Sequence, residues 1–388
     1  METDVTAVHA LKVLAAHERY RNSCINLSAS ENVLSPAVRK ALASDMASRY
    51  ALRPEFYGGT RYIQEVWNIA EDIGKEVFKS DYCIVSPLSG HVALMMALFA
   101  TAGKNSTIAC IDPAGDGYPG LMYDKIPDLF GYTVVNLPYR DHQVVVDEAV
   151  NLISSVKPRV VVLGSSLILY PFPVKEISDV VHGYGGYVIY DGSHVLGLIA
   201  GQCFQNPLNE GADILLGSTH KSFFGPQGGI MLTNNHDLHR ALGESVFHKF
   251  VDNIHFNRVA ALAVALDEMR RNGRRYAGKV VENAVTLASS LDRLGLKPFM
   301  SARGYTQSHQ VYLPLKPDEG LRVRDILEKN RIIVDMAVRM GTAEVTRRGM
   351  GLKQMAAIAK LVKAALDGED VTEDVRQLAS RFRTIRYT

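Results

Sequence analysis

Between about residue 66 and residue 262 the chain alternates continuous apolar runs with stretches of helical character. The runs are rich in Val, Ile and Leu and lack regular polar alternation, which is typical of strands covered on both faces. The strand candidates are Thr107–Ile111, Thr133–Leu137, Arg159–Leu163, Tyr187–Tyr190, Ile214–Leu216 and Ile230–Leu232. The alternation predicts an α/β fold built on a large, doubly wound, mixed or mostly parallel sheet.

A length of 388 residues is long for one compact unit and predicts two domains. We expect an N-terminal helical arm over residues 1–45, a large α/β domain over 46–262 and a small C-terminal α+β domain over 263–388. The small domain has strand candidates at Gln310–Leu313 and Ile332–Val334.

The composition excludes several classes of partner. Lys+Arg 43 against Asp+Glu 41 gives a net charge of +2, without a basic block, so we expect neither nucleic acid nor a membrane surface as a partner. The cysteines, Cys24, Cys83, Cys110 and Cys203, lie far apart without metal-ligand spacing, which favours free thiols and predicts no metal site. The N-terminus shows no secretory pattern and no apolar run approaches ~20 residues. We therefore expect a cytoplasmic protein.

One lysine lies on a glycine-bounded loop, and one aspartate ends a strand candidate before it. Lys221 lies within Gly217–Gly229, while Asp191 directly follows the run Tyr187–Tyr190 and precedes His194. A lysine amine can carry pyridoxal 5'-phosphate (PLP) as a Schiff base, and a carboxylate can keep its pyridine nitrogen protonated. Because ligands of open α/β sheets gather beyond the carboxyl ends of the strands, these residues and Ser166 are expected to share one site.

Each of these residues also has an ordinary interpretation. Lys221 alone is compatible with a surface lysine or, since Ser222 follows it, with a P-loop, although His220 stands where a P-loop needs glycine. Asp191 is compatible with a helix cap, and His194 with a half-buried structural histidine. The segment Ser89-Gly90-His91 before a helical run predicts either a phosphate-binding helix N-terminus or a plain N-cap.

Several segments, in order over nearly the whole chain, resemble serine hydroxymethyltransferase. They are Ser30-Glu31-Asn32, Phe56-Tyr57-Gly58-Gly59, Tyr190–Gly197, Gly217–Gly229, and Val338–Thr342 with Thr346–Gly349. The resemblance implies a PLP-dependent homodimer of the aspartate-aminotransferase type (fold type I) that acts on a small amino-acid substrate. It implies that active sites are shared across the dimer interface.

The resemblance also assigns roles to individual residues. The residues implied to be catalytic are Lys221, which carries the cofactor, Asp191 at the pyridine nitrogen, His194, and Tyr57 reaching across the dimer. Those implied to surround the cofactor are Ser89, Gly90, Ser218 and His220 near its phosphate and Schiff base, Ser166 and His194 at the ring oxygen, and Asn253 within the partner-facing loop Phe250–His255. Ser30 and Arg339 are implied to bind the substrate carboxylate, for which the arginine fork is suited.

The chain departs from this family at three places. Leu52 stands where the family carries a proton-transferring glutamate, and Glu55 is a candidate to replace it. The family's pterin-contacting loop is absent, because the segment from Ile333 leads directly to Arg339. The family's ring-stacking histidine is also missing, and Tyr118 is our candidate to cover the ring. The PLP side of the site is therefore intact, whereas the folate side is not.

These departures leave three hypotheses. The first is a folate-independent enzyme acting at Cα of a β-substituted amino acid. It resembles the enzymes of lincosamide antibiotic biosynthesis that process an S-cysteinyl conjugate by β-elimination or by decarboxylation with oxidative deamination. The second is a retro-aldol enzyme, either a hydroxymethyltransferase or a β-hydroxy-amino-acid aldolase. The third is a non-catalytic PLP-fold protein. Tetrahydrofolate is not expected to be a substrate under the first.

Overall fold

A computed structural model describes residues 2–388, and the chain divides into two compact units. The large unit comprises Ser30–Gly278 with the last two residues, and the small unit comprises the chain up to Ala29 together with Lys279–Arg386. No helix within residues 2–388 is long and apolar enough to span a membrane. None of the four cysteines, all of which lie in this range, forms a disulfide.

The helices and strands are as follows. The α-helices are α1 (Glu2–Asn22), α2 (Pro36–Leu42), α3 (Arg61–Phe78), α4 (Gly90–Ala102), α5 (Ile126–Phe130), α6 (Val146–Val156), α7 (Val174–Gly183), α8 (Leu196–Ala200), α9 (His236–Arg240), α10 (Phe247–Phe250), α11 (Phe256–Arg293), α12 (Pro317–Lys329), α13 (Ala343–Arg347), α14 (Leu352–Leu366) and α15 (Thr372–Ser380). The strands are β1 (Ile25–Asn26), β2 (Tyr82–Ile84), β3 (Thr107–Cys110), β4 (Thr133–Asn136), β5 (Tyr139–Arg140), β6 (Gln143–Val144), β7 (Val160–Gly164), β8 (Tyr187–Asp191), β9 (Ile214–Ser218), β10 (Gly229–Thr233), β11 (Gln310–Tyr312), β12 (Ile332–Ile333) and β13 (Arg339–Gly341).

The large unit is built on a seven-stranded sheet of order β2-β10-β9-β8-β7-β3-β4. Strands β4, β3, β7, β8 and β9 run parallel to one another, and β10 is antiparallel to both of its neighbours, β9 and β2. All five residues of β7, of β9 and of β10 are buried, as expected for strands covered on both faces. The predicted doubly wound, mostly parallel sheet is therefore present.

The small unit has a separate apolar core beneath two short strand pairs. Strand β1 pairs in parallel with β12, and β11 pairs antiparallel with β13. The core combines residues of α11, α14 and these strands, including Leu287, Leu291, Ile358, Val362 and Met340. This α+β arrangement carries Arg339 at the start of β13.

The division observed in the structure differs in its boundaries from the predicted domains. The predicted boundary at residue 262 falls inside α11, a helix of 38 residues that continues past the division after Gly278. At the N-terminus the division follows Ala29 rather than residue 45. A continuous helix gives no change of composition at such a boundary, so the sequence alone offers no signal for its position.

Candidate active site

The carboxyl ends of three adjacent parallel strands bring the predicted residues of the large unit together. Asp191, the last residue of β8, pairs in register with Gly164 of β7 and with Leu216 of β9. Because parallel strands end at one edge of the sheet, the segments after β7, β8 and β9 leave from that edge. These segments carry Ser166, His194 and Lys221.

Asp191 is buried and its surroundings control its charge. Its side chain is 8% exposed, and Oδ1 accepts a hydrogen bond from the Ser193 backbone N–H at 3.0 Å. Burial raises the pKa of Asp191, whereas the Ser193 hydrogen bonds and the charge of Lys221 lower it. A buried carboxylate of this kind gains strongly from a cationic partner such as a protonated pyridine.

Lys221 lies on a loop that is fixed from both sides. Its Nζ is 3.4 Å from Nε2 of His194, so the two side chains predicted to act together are adjacent. Asn32 Nδ2 donates to the Lys221 carbonyl at 2.8 Å and contacts the Tyr276 hydroxyl at 2.9 Å. The Tyr276 hydroxyl donates to the Ser222 carbonyl at 2.8 Å. The lysine is therefore presented from a rigid backbone, as a covalent anchor requires.

The N-terminus of α4 forms a cradle with the end of β9. Ser89 caps the helix, with its Oγ accepting from Val92 N at 3.1 Å. The next residue is glycine because a Cβ at Gly90 would lie 2.3 Å from Ser218 Oγ and 3.1 Å from Ser193 Oγ. Ser193 Oγ in turn accepts from Ser218 N at 3.0 Å. The cradle presents hydroxyls and a helix N-terminus, which together suit a phosphate.

His220 is held as a neutral ring beside the lysine. Burial, followed by the charge of Lys221, lowers the pKa of His220 to about 4, while Glu31 opposes that shift. Its Nδ1 is buried without a hydrogen-bond partner among residues 2–388. A buried polar atom in this state is stabilised when an added group bonds to it.

These observations fit pyridoxal 5'-phosphate. The site offers an amine at Lys221, a buried carboxylate at Asp191, a cradle at Gly90 and an orphaned ring nitrogen at His220. Those groups match the aldehyde, the pyridine nitrogen and the phosphate of the cofactor. Lys221, Asp191, Ser89, Gly90, Ser218 and His220 are the residues that would hold it.

The loop after β3 approaches the site and is joined to the segment after β7. Ser166 N donates to the Asp116 carbonyl at 2.8 Å, and Ser166 Oγ donates to the Gly117 carbonyl at 3.2 Å. The next residue, Tyr118, has its hydroxyl 2.9 Å from Nδ1 of His91. Asp191 raises the pKa of Tyr118, after the larger effect of burial, so Tyr118 lies within electrostatic reach of the carboxylate.

The predicted residues Tyr57 and Asn253 are not brought to Lys221 by the described contacts. The Tyr57 ring is 40% exposed and packs against Tyr50 and Phe56, with centroids 5.6 Å and 5.0 Å away. Asn253 lies in the loop before α11. The shared dimer site expected for both residues stays a prediction.

The two residues predicted to bind a substrate carboxylate are assigned to different units. Ser30 is a half-buried residue at the start of the large unit. Arg339 belongs to the small unit, where its Nε donates to Asp335 Oδ2 at 2.9 Å and its backbone N–H donates to Oδ1 at 3.1 Å. Their joint role stays a prediction.

Two contributors were not assigned by sequence reasoning. Ser193 links Asp191 to Ser218, and Asn32 fixes the backbone of Lys221. Asn32 belongs to a segment that carries the family resemblance, which was the available signal for it. Ser193 lies within Tyr190–Gly197, which also carries the resemblance, so the same signal was available for it.

Comparisons with known proteins agree with this geometry. A family model described as serine hydroxymethyltransferase matches residues 3–362. Serine hydroxymethyltransferase of Methanopyrus kandleri is 39% identical over 98% of this chain and 95% of the relative, and that of Archaeoglobus fulgidus is 36% identical over 99% and 93%. Among solved structures, L-threonine transaldolase from Pseudomonas fluorescens has a TM-score of 0.91 at 25% identity, covering 100% of this chain and 94% of that chain.

The structural match confirms the predicted fold type I architecture. The family model spans most of the chain, and relatives at 35–39% identity span nearly all of it. The chain therefore belongs to the serine hydroxymethyltransferase family, which confirms the predicted class of enzyme and its cofactor, pyridoxal 5'-phosphate.

Proposed function

We propose that this enzyme acts at Cα of a β-substituted amino acid without using tetrahydrofolate. The observation that carries the proposal is Leu52, which occupies the position where the resemblance places a proton-transferring glutamate. A leucine side chain cannot move a proton, so the one-carbon chemistry loses its acid–base group while the cofactor residues are retained.

The segment around Leu52 is anchored to α3, which argues against a local rearrangement that supplies another carboxylate. Gln64 Nε2 donates to the Leu52 carbonyl at 2.9 Å. Arg53 donates to Glu71 Oε2 at 2.7 Å and lies 3.8 Å above the Trp67 ring centroid. Glu71 is thus held by Arg53 and also accepts from Trp67 Nε1 at 2.9 Å.

Glu55, the candidate replacement, is exposed. Its carboxylate lies 3.5 Å from the Thr60 hydroxyl, farther than the roughly 2.5–3.0 Å of an ordinary O–H···O hydrogen bond. Within the protomer this carboxylate is neither buried nor held by a short hydrogen bond, whereas proton transfer needs a group held within hydrogen-bond reach of the proton. This supports the view that the glutamate function is lost rather than relocated.

The short connection before Arg339 supports a larger substrate. Only the five residues Val334–Val338 separate β12 from β13, where the resemblance places a pterin-contacting loop. Removing that loop removes binding surface for a pterin and leaves room for a bulky β-substituent. We propose that Arg339 and Ser30 still bind the α-carboxylate of that amino acid.

The chemistry divides among residues of this chain. When bound, pyridoxal 5'-phosphate withdraws electrons from Cα and weakens the bonds to it. Asp191 holds the proton on the pyridine nitrogen, and His194 orients the Lys221 amine that it contacts. Lys221 takes and returns the proton at Cα. Arg339 would orient the substrate carboxylate and thereby select which bond at Cα breaks.

Our first candidate substrate is an S-cysteinyl conjugate of the kind processed in lincosamide antibiotic biosynthesis. In β-elimination, Cα loses its proton to Lys221, the Cβ–S bond breaks with its electron pair on sulfur, and water completes the release of thiol, pyruvate and ammonia. The alternative outcome is loss of the carboxylate as carbon dioxide, with dioxygen as the oxidant for deamination.

The second candidate is aldol-type cleavage of a β-hydroxy amino acid between Cα and Cβ. The structural similarity to a protein named L-threonine transaldolase favours it. This reaction needs a base for the β-hydroxyl proton, and Leu52 cannot serve. Under this candidate we propose that Glu55, although exposed in the protomer, takes over that role.

The test is incubation of the holoenzyme with S-cysteinyl conjugates, L-threonine, L-serine and glycine, with and without tetrahydrofolate. Pyruvate, ammonia, carbon dioxide, peroxide and aldehyde are measured separately. We expect consumption of a bulky β-substituted amino acid and no acceleration of serine cleavage by folate, because loss of an acid–base group costs ~10²–10⁴-fold in rate. Lys221→Ala serves as the inactive control. Folate-dependent conversion of serine to glycine at an ordinary enzymatic rate would overturn the proposal.

We also propose a cytoplasmic homodimer in which Tyr57 and the loop Phe250–His255 serve the partner's site. The exposed aromatic rings of Phe56 and Tyr57, 77% and 40% exposed, support an interface at this segment. Sedimentation velocity tests the dimer, and mixing Tyr57→Phe with Lys221→Ala tests the sharing. Partial recovery of activity in the mixture is expected only if sites are shared, and a monomeric active enzyme would contradict both.

A further inference from the structure

His91 and Tyr118 form a hydrogen-bonded aromatic pair near Asp191. His91 is the second residue of α4, and Tyr118 directly precedes the short 3-10 turn Pro119–Leu121. Nδ1 of His91 is 2.9 Å from the Tyr118 hydroxyl, and the rings meet edge to face with centroids 6.0 Å apart. The charge of Asp191 affects the pKa of both residues, so the pair lies close to the carboxylate that would hold the pyridine nitrogen.

The backbone fixes one side of the Tyr118 ring. A Cβ at Gly120 would lie 2.3 Å from Cε1 of Tyr118, so the ring packs directly on the glycine backbone. The preceding residue, Gly117, bridges to Ser165 and accepts from Ser166 Oγ. The ring of Tyr118 is thus positioned by main-chain contacts, while its hydroxyl is held by His91.

The pKa shifts of His91 and Tyr118 favour the uncharged form of both side chains, with the Tyr118 hydroxyl as the hydrogen-bond donor. Burial lowers the pKa of His91, with Asp191 opposing, and burial raises the pKa of Tyr118. Nδ1 of a neutral imidazole can accept a hydrogen bond from the Tyr118 hydroxyl. It also adds no positive charge beside Asp191, so the carboxylate stays available to a protonated pyridine.

We propose that His91 is a positioning residue that acts through the Tyr118 hydroxyl and holds that ring against the face of the cofactor. Tyr118 is the residue that the sequence predicts to cover the cofactor ring, and the contact of its hydroxyl with His91 would fix the orientation of the Tyr118 ring. The inference rests on the proposed function in that both place the same cofactor beside Asp191. Aromatic rings prefer offset-stacked arrangements, so contact between two rings depends on how each ring is oriented. A hydrogen bond that fixes the Tyr118 ring would therefore favour this contact.

The test is a double-mutant cycle with His91→Ala, Tyr118→Phe and the double variant. The cofactor-free proteins are titrated with pyridoxal 5'-phosphate, and the circular dichroism of the bound cofactor is recorded. Each single variant is expected to bind the cofactor about 5–10-fold more weakly, the effect of one neutral hydrogen bond, and to change its dichroism. The double variant is expected to match the singles, because two changes along one contact are not additive.

Two further variants separate positioning from general destabilisation. His91→Asn places an amide oxygen close to the position of Nδ1 and is expected to restore the dichroism. Tyr123→Phe, at a tyrosine that is 82% exposed, removes a hydroxyl from the same loop region and is expected to change nothing. Additive effects in the double variant, or an unchanged affinity and dichroism in His91→Ala, would overturn the inference.

These outcomes are independent of the substrate. Normal cofactor binding in all three variants, together with turnover of an S-cysteinyl conjugate, contradicts the positioning role and leaves the proposed function intact. A wild type that requires tetrahydrofolate contradicts the proposed function, whereas the cofactor titrations still decide the role of His91.

Discussion

Replacing Asp191 by asparagine separates a chemical role from a structural one. At ~3 Å and an effective dielectric constant of ~20, a carboxylate and a protonated pyridine attract each other by about 5 kcal/mol. The amide oxygen of Asp191→Asn retains a neutral hydrogen bond worth ~1 kcal/mol. The remaining loss of about 4 kcal/mol predicts a rate about 10³-fold lower for proton removal at Cα. Exchange of the glycine α-proton with deuterated solvent, followed by NMR, measures this rate without knowledge of the natural substrate.

The stability of the cofactor-free protein gives the decisive contrast. Burial raises the pKa of Asp191 above its unfolded value of ~3.9. The stabilising contribution of this group is therefore present below the unfolded pKa and is lost as pH rises through the folded pKa. At pH 7 the wild-type protein without cofactor holds a buried, charged carboxylate at Asp191, which costs folding free energy. Asparagine is uncharged and avoids this cost, so the cofactor-free Asp191→Asn protein should be at least as stable as the wild type in urea denaturation.

Asp213→Asn is the matched control for this prediction. Asp213 lies at the other end of the sheet, where its carboxylate accepts from Val188 N at 2.7 Å and from His182 at 3.0 Å. Its replacement should lower the free energy of unfolding and leave glycine exchange unchanged. The reasoning is refuted if Asp191→Asn exchanges glycine at a near-normal rate, since the carboxylate would then only cap the turn through Ser193.

Substitutions at Lys221, Arg339 and Gly90 test the remaining roles. Lys221→Ala should prevent borohydride from attaching the cofactor covalently, as read by mass spectrometry; attachment elsewhere in that variant would show a different anchor. Arg339→Ala should weaken glycine binding by ~2–4 kcal/mol, as measured by spectral titration. Arg339→Lys should restore binding poorly, because lysine lacks the bidentate guanidinium fork. Unchanged glycine affinity in both variants would exclude the role. Gly90→Ala should weaken cofactor binding by about tenfold or more, since overpacking costs about 1–3 kcal/mol, whereas Gly183→Ala, where a Cβ would meet nothing within 4 Å, should bind normally.

The sheet of the large unit was predictable because burial on both faces leaves a direct mark on composition. Strand β7 was placed within one residue at each end, since all of its residues are buried and most are valine. Strand β2 has three residues, and the hairpin strands β5 and β6 have two each. Segments this short carry no measurable periodicity, and their pairing depends on partners distant in sequence.

The site was predictable where its residues stand in short, distinctive sequence segments. A lysine between glycines and an aspartate at a strand end are unusual enough to be recognised. The contact of His91 with Tyr118 joins residues 27 positions apart, and each residue type has many ordinary uses. Only the fold shows that they meet, because the meeting depends on how the loop after β3 bends towards α4.

The segments at Leu52 and at Asp191 are held in different ways. The segment at Leu52 is fixed by its carbonyl, which accepts from Gln64, and by the neighbouring Arg53 on α3. The local conformation therefore does not depend on the side chain at position 52, and a carboxylate there can be exchanged for leucine without disturbing the fold. Asp191 is held through its own carboxylate by Ser193, and Ser193 in turn supports Ser218. A change at Asp191 thus alters contacts that support the cofactor site, whereas a change at Leu52 leaves the backbone contacts of its segment in place.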